Sequence, residues 1–418
     1  MRASLFIKNA GELIVVGRGP KTKKKMGTLE IVENGAIAVL DDRIVAVGPT
    51  TELETRVECS ANTRVVDVAG RVVLPGFVDP HTHLVFAGSR EFELELKLSG
   101  TSYMEIKRLG GGIPYTVRQT REASFEKLVE QSKKRLDTIL AYGTTTVEAK
   151  SGYGLSLVDE TKILRVIKHL DGAHPVDVIP TFLGAHLVPP EYEEYPEKYL
   201  ELLLQEMIPE VAKSGLAEFC DVFCEKGVFS SEEAYKILLN AKKHGLKPKI
   251  HADEFSWSGG AETAARVGAT SADHLLHVSD DGIKALAEKK VVAVLLPATP
   301  FSMGLEQYAN AKKMIENGVI VALATDLNPN CWTESMQFII QLACFKMGMT
   351  PAQAINAATI NAAYAIDRQQ TVGSLEPGKK ADIIVLNIPN HRFLCYHFGV
   401  NHVAMVIKNG QIVVDNLT

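Results

Sequence analysis

Paired cysteines are missing from this sequence. Its six cysteines stand at 59, 220, 224, 331, 344 and 395 of 418 residues, with neither zinc-ribbon spacing nor disulfide-scaffold density. Cys220 and Cys224 lie four apart in a strand-like run, where they would share a face as buried free thiols. A reducing, cytoplasmic setting is expected. An excess of positive charge is missing too. A net charge of −5 and a pI near 6.2 argue against a nucleic-acid partner, which needs a basic face. The one basic cluster, Lys21 to Lys25, reads as a solvated hairpin tip. Long hydrophobic runs are also absent. No window approaches the roughly 18 uncharged apolar residues of a membrane span. Lys8, Asn9 and Glu12 interrupt the N-terminal apolar residues, so no signal peptide is read there.

What is present is ample core. Hydrophobic residues make up 46% and charged residues 23%, as in soluble globular proteins. The length accommodates an α/β barrel of about 250 residues with a smaller domain beside it. Both ends read as short strands with turn signals at Asn34-Gly35, Asp41-Asp42 and Asn409-Gly410. Neither end alone has enough strands for a core. Together, residues 1–70 and 366–418 are expected to form one small β-sandwich domain. Between them, over 71–365, eight apolar runs alternate with helix-like stretches: VVLPGFVDPHTH, GTTTVEAKSGYG, VDVIPTFLGAH, FCDVFCEKG, LKPKIHADE, ATSADHLLH, KVVAVLLPATP and GVIVALATDLNP. Eight strand-then-helix units imply a parallel (β/α)8 TIM-like barrel. ELKLSGTSYMEIKRLGGGIPYTV, after the first run, reads as a long loop covering the site, with a hinge at Gly110 to Gly112.

Barrel chemistry sits at the C-terminal strand ends. Those ends carry His81 and His83, then Lys150 to Tyr153, His186, Cys224 and Glu225. They continue with His251, Asp253 and Glu254, then Asp273, His274 and His277, and finally Asp326 and Asn328. Any one of these alone reads as a hydrogen-bonded core residue. Their recurrence at one end does not, because burying so many polar groups is costly unless they are paired or bound. Neutral imidazole with carboxylate suits zinc or ferrous iron. Strand alternation sets His81 and His83 on one face, and His251 and Asp326 come from strands that approach them around a closed barrel. Three nitrogens and one oxygen leave a position open for water, as in a catalytic site.

In this order, PGFVDPHTHLVFAGSR, EAKSGYGLS, TFLGAH, HADE, SADHLLH and ATDLNP resemble the amidohydrolase superfamily. The similarity is strongest to members that open an imidazolone ring in histidine breakdown. The resemblance implies one zinc or iron ion per subunit on His81, His83, His251 and Asp326. It implies proton transfer by Glu254, with His274 and Asp326 also catalytic. Substrate contacts fall on Arg90, Tyr103, Tyr153, His186, Glu254, Asn328, Asn330 and Cys331, although NPNCWTES departs from the glycine-serine-rich family pattern after strand eight. The implied reaction is hydrolysis of 4-imidazolone-5-propanoate to N-formimino-L-glutamate. Arg90, close after the HTH motif, would take the propanoate tail as a bidentate fork; a salt bridge to Glu91 or Glu93 is the competing use. A cytoplasmic homodimer acting on a small molecule is expected, with no nucleic-acid or membrane partner. A cyclic-amidine deaminase would use the same HADE motif and strand-six histidine, and ammonia release separates the two. A metal-bound scaffold without activity would show a damaged site, and here every position is filled.

Overall fold

A computed structural model describes residues 1–101 and 103–417, the side chains of Tyr103, Met104 and Lys107 excepted. The chain opens with β1 (Leu5–Ile14), β2 (Ile31–Leu40), β3 (Arg43–Pro49), β4 (Arg64–Asp67) and β5 (Val72–Pro75). Eight strands follow: β6 (Phe77–Thr82), β7 (Thr144–Lys150), β8 (Asp177–Ala185), β9 (Phe219–Cys224), β10 (Lys247–Ala252), β11 (Ser271–His274), β12 (Val292–Leu295) and β13 (Ile320–Leu323). The chain then returns through β14 (Ile383–Leu386), β15 (Val403–Lys408) and β16 (Gln411–Asp415).

The terminal strands form one mixed sheet in the order β16-β15-β14-β5-β1-β2-β3. β1 is long enough to pair with β4 through Leu5 to Lys8 and with β5 through Glu12 and Leu13. Side chains from both ends of this sheet, Ile37 and Val39 with Val385 and Ile407, meet in one apolar cluster. Asn409 and Gly410 turn β15 into β16 with φ of 49° and 76°, the left-handed pair that a two-residue hairpin demands. Asn34-Gly35, by contrast, lies inside β2 rather than at a turn. Lys23–Met26 forms a short helix, not a hairpin tip, because Met26 is buried and Asn361 holds the backbone N–H and C=O of Lys21.

Strands β6 to β13 are parallel neighbours in chain order. The ring closes past the end of β13, where Thr82 bridges Leu327 and the His83 N–H donates to Leu327 O at 2.8 Å. The run VVLPGFVDPHTH splits at Gly76: β5 belongs to the terminal sheet and β6 to the barrel. A Cβ at Gly76 would lie 2.3 Å from Thr145 Oγ1, so only glycine lets the chain cross between the two sheets there.

Outward-facing strand residues such as Val147, Val178, Val222 and Ile250 pack under helices through Ile163, Leu238 and Leu286. Cys220 and Cys224 share that apolar face. Several helices start on explicit caps. Ser124 accepts from Lys127 N, and Ser230 with Glu233 closes a capping box. The inner face is different. Its buried residues include Asp79, Glu148, Lys150, Asp221, Lys249 and Asp273, where branched aliphatics usually fill a barrel. The segment expected as a long covering loop is instead folded into short helices, Glu93–Leu98, Tyr103–Arg108 and Gly112–Glu122. Glu93 links two of them by accepting from Gly112 N at 2.7 Å. No helix among the described residues is long and apolar enough to cross a membrane.

Candidate metal centre and active site

Strand alternation and barrel closure bring His81, His83, His251, His274 and Asp326 into one buried cluster. His251 Nε2 lies 3.4 Å from His83 Nε2, and its ring centroid is 4.5 Å from that of His81. Asp326 follows β13 with φ of 54°, and its Oδ1 sits 3.5 Å from His81 Nε2 and 3.7 Å from His83 Nε2. Thr299 Oγ1 donates to the other oxygen at 2.6 Å. His274, also left-handed at φ 78°, sets its ring 5.4 Å from His81 and 5.2 Å from His251. Two overlapping donor sets can each hold an ion: His81, His83 and Asp326, and His81, His251 and His274.

The chemistry of these donors fits a divalent cation. Burial holds His81, His83 and His274 well below the ordinary histidine pKa, reinforced by Lys150 and then other imidazoles at His81 and by neighbouring imidazoles and then Lys150 at His83 and His274. Neutral rings offer lone pairs. His81 Nε2 is buried and aimed into the cluster without a hydrogen-bond partner. An unpartnered buried nitrogen of this kind is expensive unless a ligand completes it.

A second layer lies beneath. His81 Nδ1 donates to Asp273 Oδ2 at 2.6 Å, and His251 Nδ1 faces Asp221 Oδ2 at 3.0 Å. The Asp273 hydrogen bond fixes the proton of His81 on Nδ1 and leaves Nε2 for an ion, whereas Asp221 faces His251 Nδ1 at ion-pair distance without a hydrogen-bonding angle. Lys150 Nζ stands between them, 2.7 Å from Asp221 Oδ2, 2.8 Å from Glu148 Oε1 and 3.7 Å from Asp273 Oδ2. Burial alone would raise the Asp221 pKa; His251 and Lys150 outweigh it and hold the carboxyl well below the usual range. Asp79 accepts from the Thr325 side chain and backbone at 2.5 and 3.1 Å, tying β6 to the segment that carries Asp326. Sequence reasoning found Lys150 and Asp273 but missed Glu148, Asp221 and Asp79. Their signal was present: each is an acid inside an apolar strand run, at even spacing before a site residue or opposite one.

Glu254, eight per cent exposed, lies with Oε1 3.7 Å from His274 Nδ1. Burial, then Asp326 and Glu225, pushes its carboxyl well above the usual range. His186 hydrogen-bonds through Nδ1 to Gly152 O at 2.9 Å and stacks on His83 at 5.1 Å. Tyr153 is buried with its ring 5.6 Å from His83 and 5.4 Å from His186. The Tyr103 side chain lies outside the described residues. Arg90 is buried and already engaged: Nε and Nη2 donate to Glu93 at 2.7 and 2.8 Å. The competing salt bridge foreseen from sequence therefore exists, as an internal fork. Lys97 Nζ stands 3.7 Å from the same Glu93 and bonds Asn330 Oδ1. Asn328 builds its own loop, donating to Asp326 O at 2.7 Å and accepting from Asn330 N and Cys331 N at 2.7 and 3.0 Å. Cys331 is buried, its thiol pushed up by burial and then by Asp326. His277 lies at the surface beside Gln307, away from the cluster.

Residues 72–413 match the amidohydrolase family. An imidazolonepropionase of Geobacillus sp. (strain WCH70) is 54% identical over 417 residues, covering 99% of this chain and 98% of that protein. One from Alkaliphilus metalliredigens (strain QYMF) is 48% identical over 418 residues, covering 99% of both. Among solved structures, an adenosine deaminase from Xanthomonas campestris with bound zinc superposes at a TM-score of 0.74 with 17% identity, over 100% of this chain and 94% of that one. Escherichia coli guanine deaminase does so at 0.74 and 17%, over 98% of each chain. At that identity the structural likeness speaks for the fold alone.

Proposed function

The chain belongs to the amidohydrolase family, and we propose that it hydrolyses 4-imidazolone-5-propanoate to N-formimino-L-glutamate in histidine degradation, the activity named for relatives at 48% to 54% identity. The observation that carries this is the buried cluster in which His81, His83 and Asp326 overlap a second donor set through His81 and His251, with the buried carboxyl of Glu254, its pKa raised, beside it. We read the four as holding one divalent ion, zinc or iron, per subunit of a cytoplasmic homodimer. When bound, such an ion lowers the pKa of a water from about 15.7 towards roughly 7 and opposes developing negative charge at the scissile carbonyl.

The protein's own groups do the rest. Glu254 accepts the proton of the attacking water and returns it to the departing ring nitrogen. A carboxyl pushed up by burial is a stronger base than one in water and a competent acid afterwards. His186 donates a hydrogen bond from Nδ1–H to Gly152 O, so its Nε2 is an acceptor suited to a ring N–H. Donation to the oxyanion then falls to His274, which is held neutral. At the rim, Arg90 and Lys97 share the single carboxylate of Glu93, a cluster with one positive charge in excess. The propanoate tail balances it, reached through Arg90 Nη1 and Lys97 Nζ.

The test is turnover of imidazolone propanoate with product identification, ammonia assay and elemental analysis on one sample. One ion per chain and ring opening without ammonia support the reading. Ammonia release favours the deaminase alternative, and two ions per chain or no turnover overturns the assignment.

A further inference from the structure

One buried ammonium lies against both acids that face the side chains of His81 and His251. Lys150 is fully buried at the end of β7, and its partners come from β7 itself, β9 and β11. Asp221 faces His251, Asp273 faces His81, and both lie within 3.7 Å of Lys150 Nζ. Glu148 holds the ammonium from the third side and is fixed in turn by the Thr181 hydroxyl. The other fully buried barrel lysine, Lys249, bonds instead to the carbonyls of Pro80 and Ala365.

We infer that Lys150 is a positioning residue for the metal site: it pins Asp221 and Asp273 together so that His251 and His81 each keep a proton on Nδ1 and present Nε2. Without it, three carboxylates face one another in the barrel interior with no cation between them. Like charges so placed repel and turn aside. That movement releases both rings. A single cation therefore couples two ligands on strands four apart in the barrel order.

The inference rests on the divalent-ion reading, and the parent protein tests that reading separately: it binds Zn²⁺ or it does not. Lys150 has an opposite possible role, as a bystander charge that repels the ion, and the sign of one measurement separates the two. Zn²⁺ affinity of Lys150→Met and of the smaller Lys150→Gln is measured by chelator competition. A positioning role predicts a loss of about 10- to 100-fold, the range for outer-sphere partners of metal ligands. A bystander charge predicts tighter binding, and a merely structural lysine predicts lower melting with unchanged affinity; either result overturns the inference. Should neither variant fold, ¹⁵N-histidine NMR on the metal-free parent decides. His81 and His251 locked as Nδ1–H tautomers support the inference, and tautomers in fast exchange refute it.

Discussion

Arg90 holds Glu93 and, on the proposed reading, the substrate tail, and the two roles can be separated. Arg90→Ala removes a bidentate fork from Glu93, a carboxylate with no exposed surface. Breaking one side of a buried ion pair costs about 3–5 kcal/mol. Glu93 keeps Gly112 N at 2.7 Å and Lys97 at 3.7 Å, so the lower end applies, about 3 kcal/mol. For a cooperative unit of roughly 300 residues that is a fall in Tm of about 5 °C. The substrate loss is separate. With Nε and Nη2 taken, Arg90 offers the tail one nitrogen, and a hydrogen bond to a charged group is worth about 1.5–3 kcal/mol. That is about 10- to 150-fold in kcat/KM, carried by KM because the tail binds alike in ground and transition states. Adding Glu93→Gln to Arg90→Ala removes the stranded carboxylate. The double variant should recover most of the lost Tm and none of the lost kcat/KM. Melting curves and steady-state kinetics on the parent, both singles and the double test this. If the double recovers both, Arg90 serves Glu93 alone and the tail is held elsewhere.

Much of this was legible in the sequence because strand ends and alternation leave local marks. All eight barrel runs contain a strand in the expected order, and His81 and His83 share a face as their one-residue spacing demands. The boundary at Gly76 was hidden because the apolar run reads through it, and only the close packing on Thr145 shows why the chain crosses there. The helices after β6 were hidden for a related reason. Their order depends on Glu93 joining Arg90 to Gly112, a contact between residues 19 apart that no local pattern encodes. The charged layer beneath the site needed both strand alternation and strand adjacency. Asp221 and Lys150 become partners only once β7 and β9 converge on the barrel interior. Within NPNCWTES, Asn328 and Asn330 spend their side chains on the loop itself and on Lys97, contacts that depend on the folded loop.

Glu254→Gln should retain the ion by elemental analysis and lose about 10²- to 10⁴-fold in kcat; a variant within a few-fold of the parent would assign the proton to another group. Arg135→Met should destabilise the segment that follows His83, because the buried guanidinium donates to Leu84 O and Phe86 O at 2.8 and 3.1 Å and lies 3.5 Å over the Phe86 ring. Losing two charge-assisted bonds should cost about 3 kcal/mol, and a shift in urea midpoint equivalent to less than about 1 kcal/mol refutes that account. The last prediction concerns the joint between barrel and terminal sheet. Asp177, at the start of β8, accepts from Lys380 at 3.0 Å and from the buried Lys408 at 2.8 Å, and Lys408 also holds Asp382 at 2.6 Å. Burial pushes the Asp177 carboxyl up, but the two lysines outweigh it and its pKa lies below the ordinary value. A depressed folded pKa means stability that is present above the unfolded value, about 3.9, and lost as pH falls through the folded one. Asp177→Asn should therefore be less stable at pH 7 by about 1–3 kcal/mol, less than a fully broken buried pair because Lys408 keeps Asp382. The gap between variant and parent should close as urea midpoints are followed below about pH 4. A gap that stays constant from neutral pH into that acid range would show that the ion cluster contributes through shape alone, not through charge.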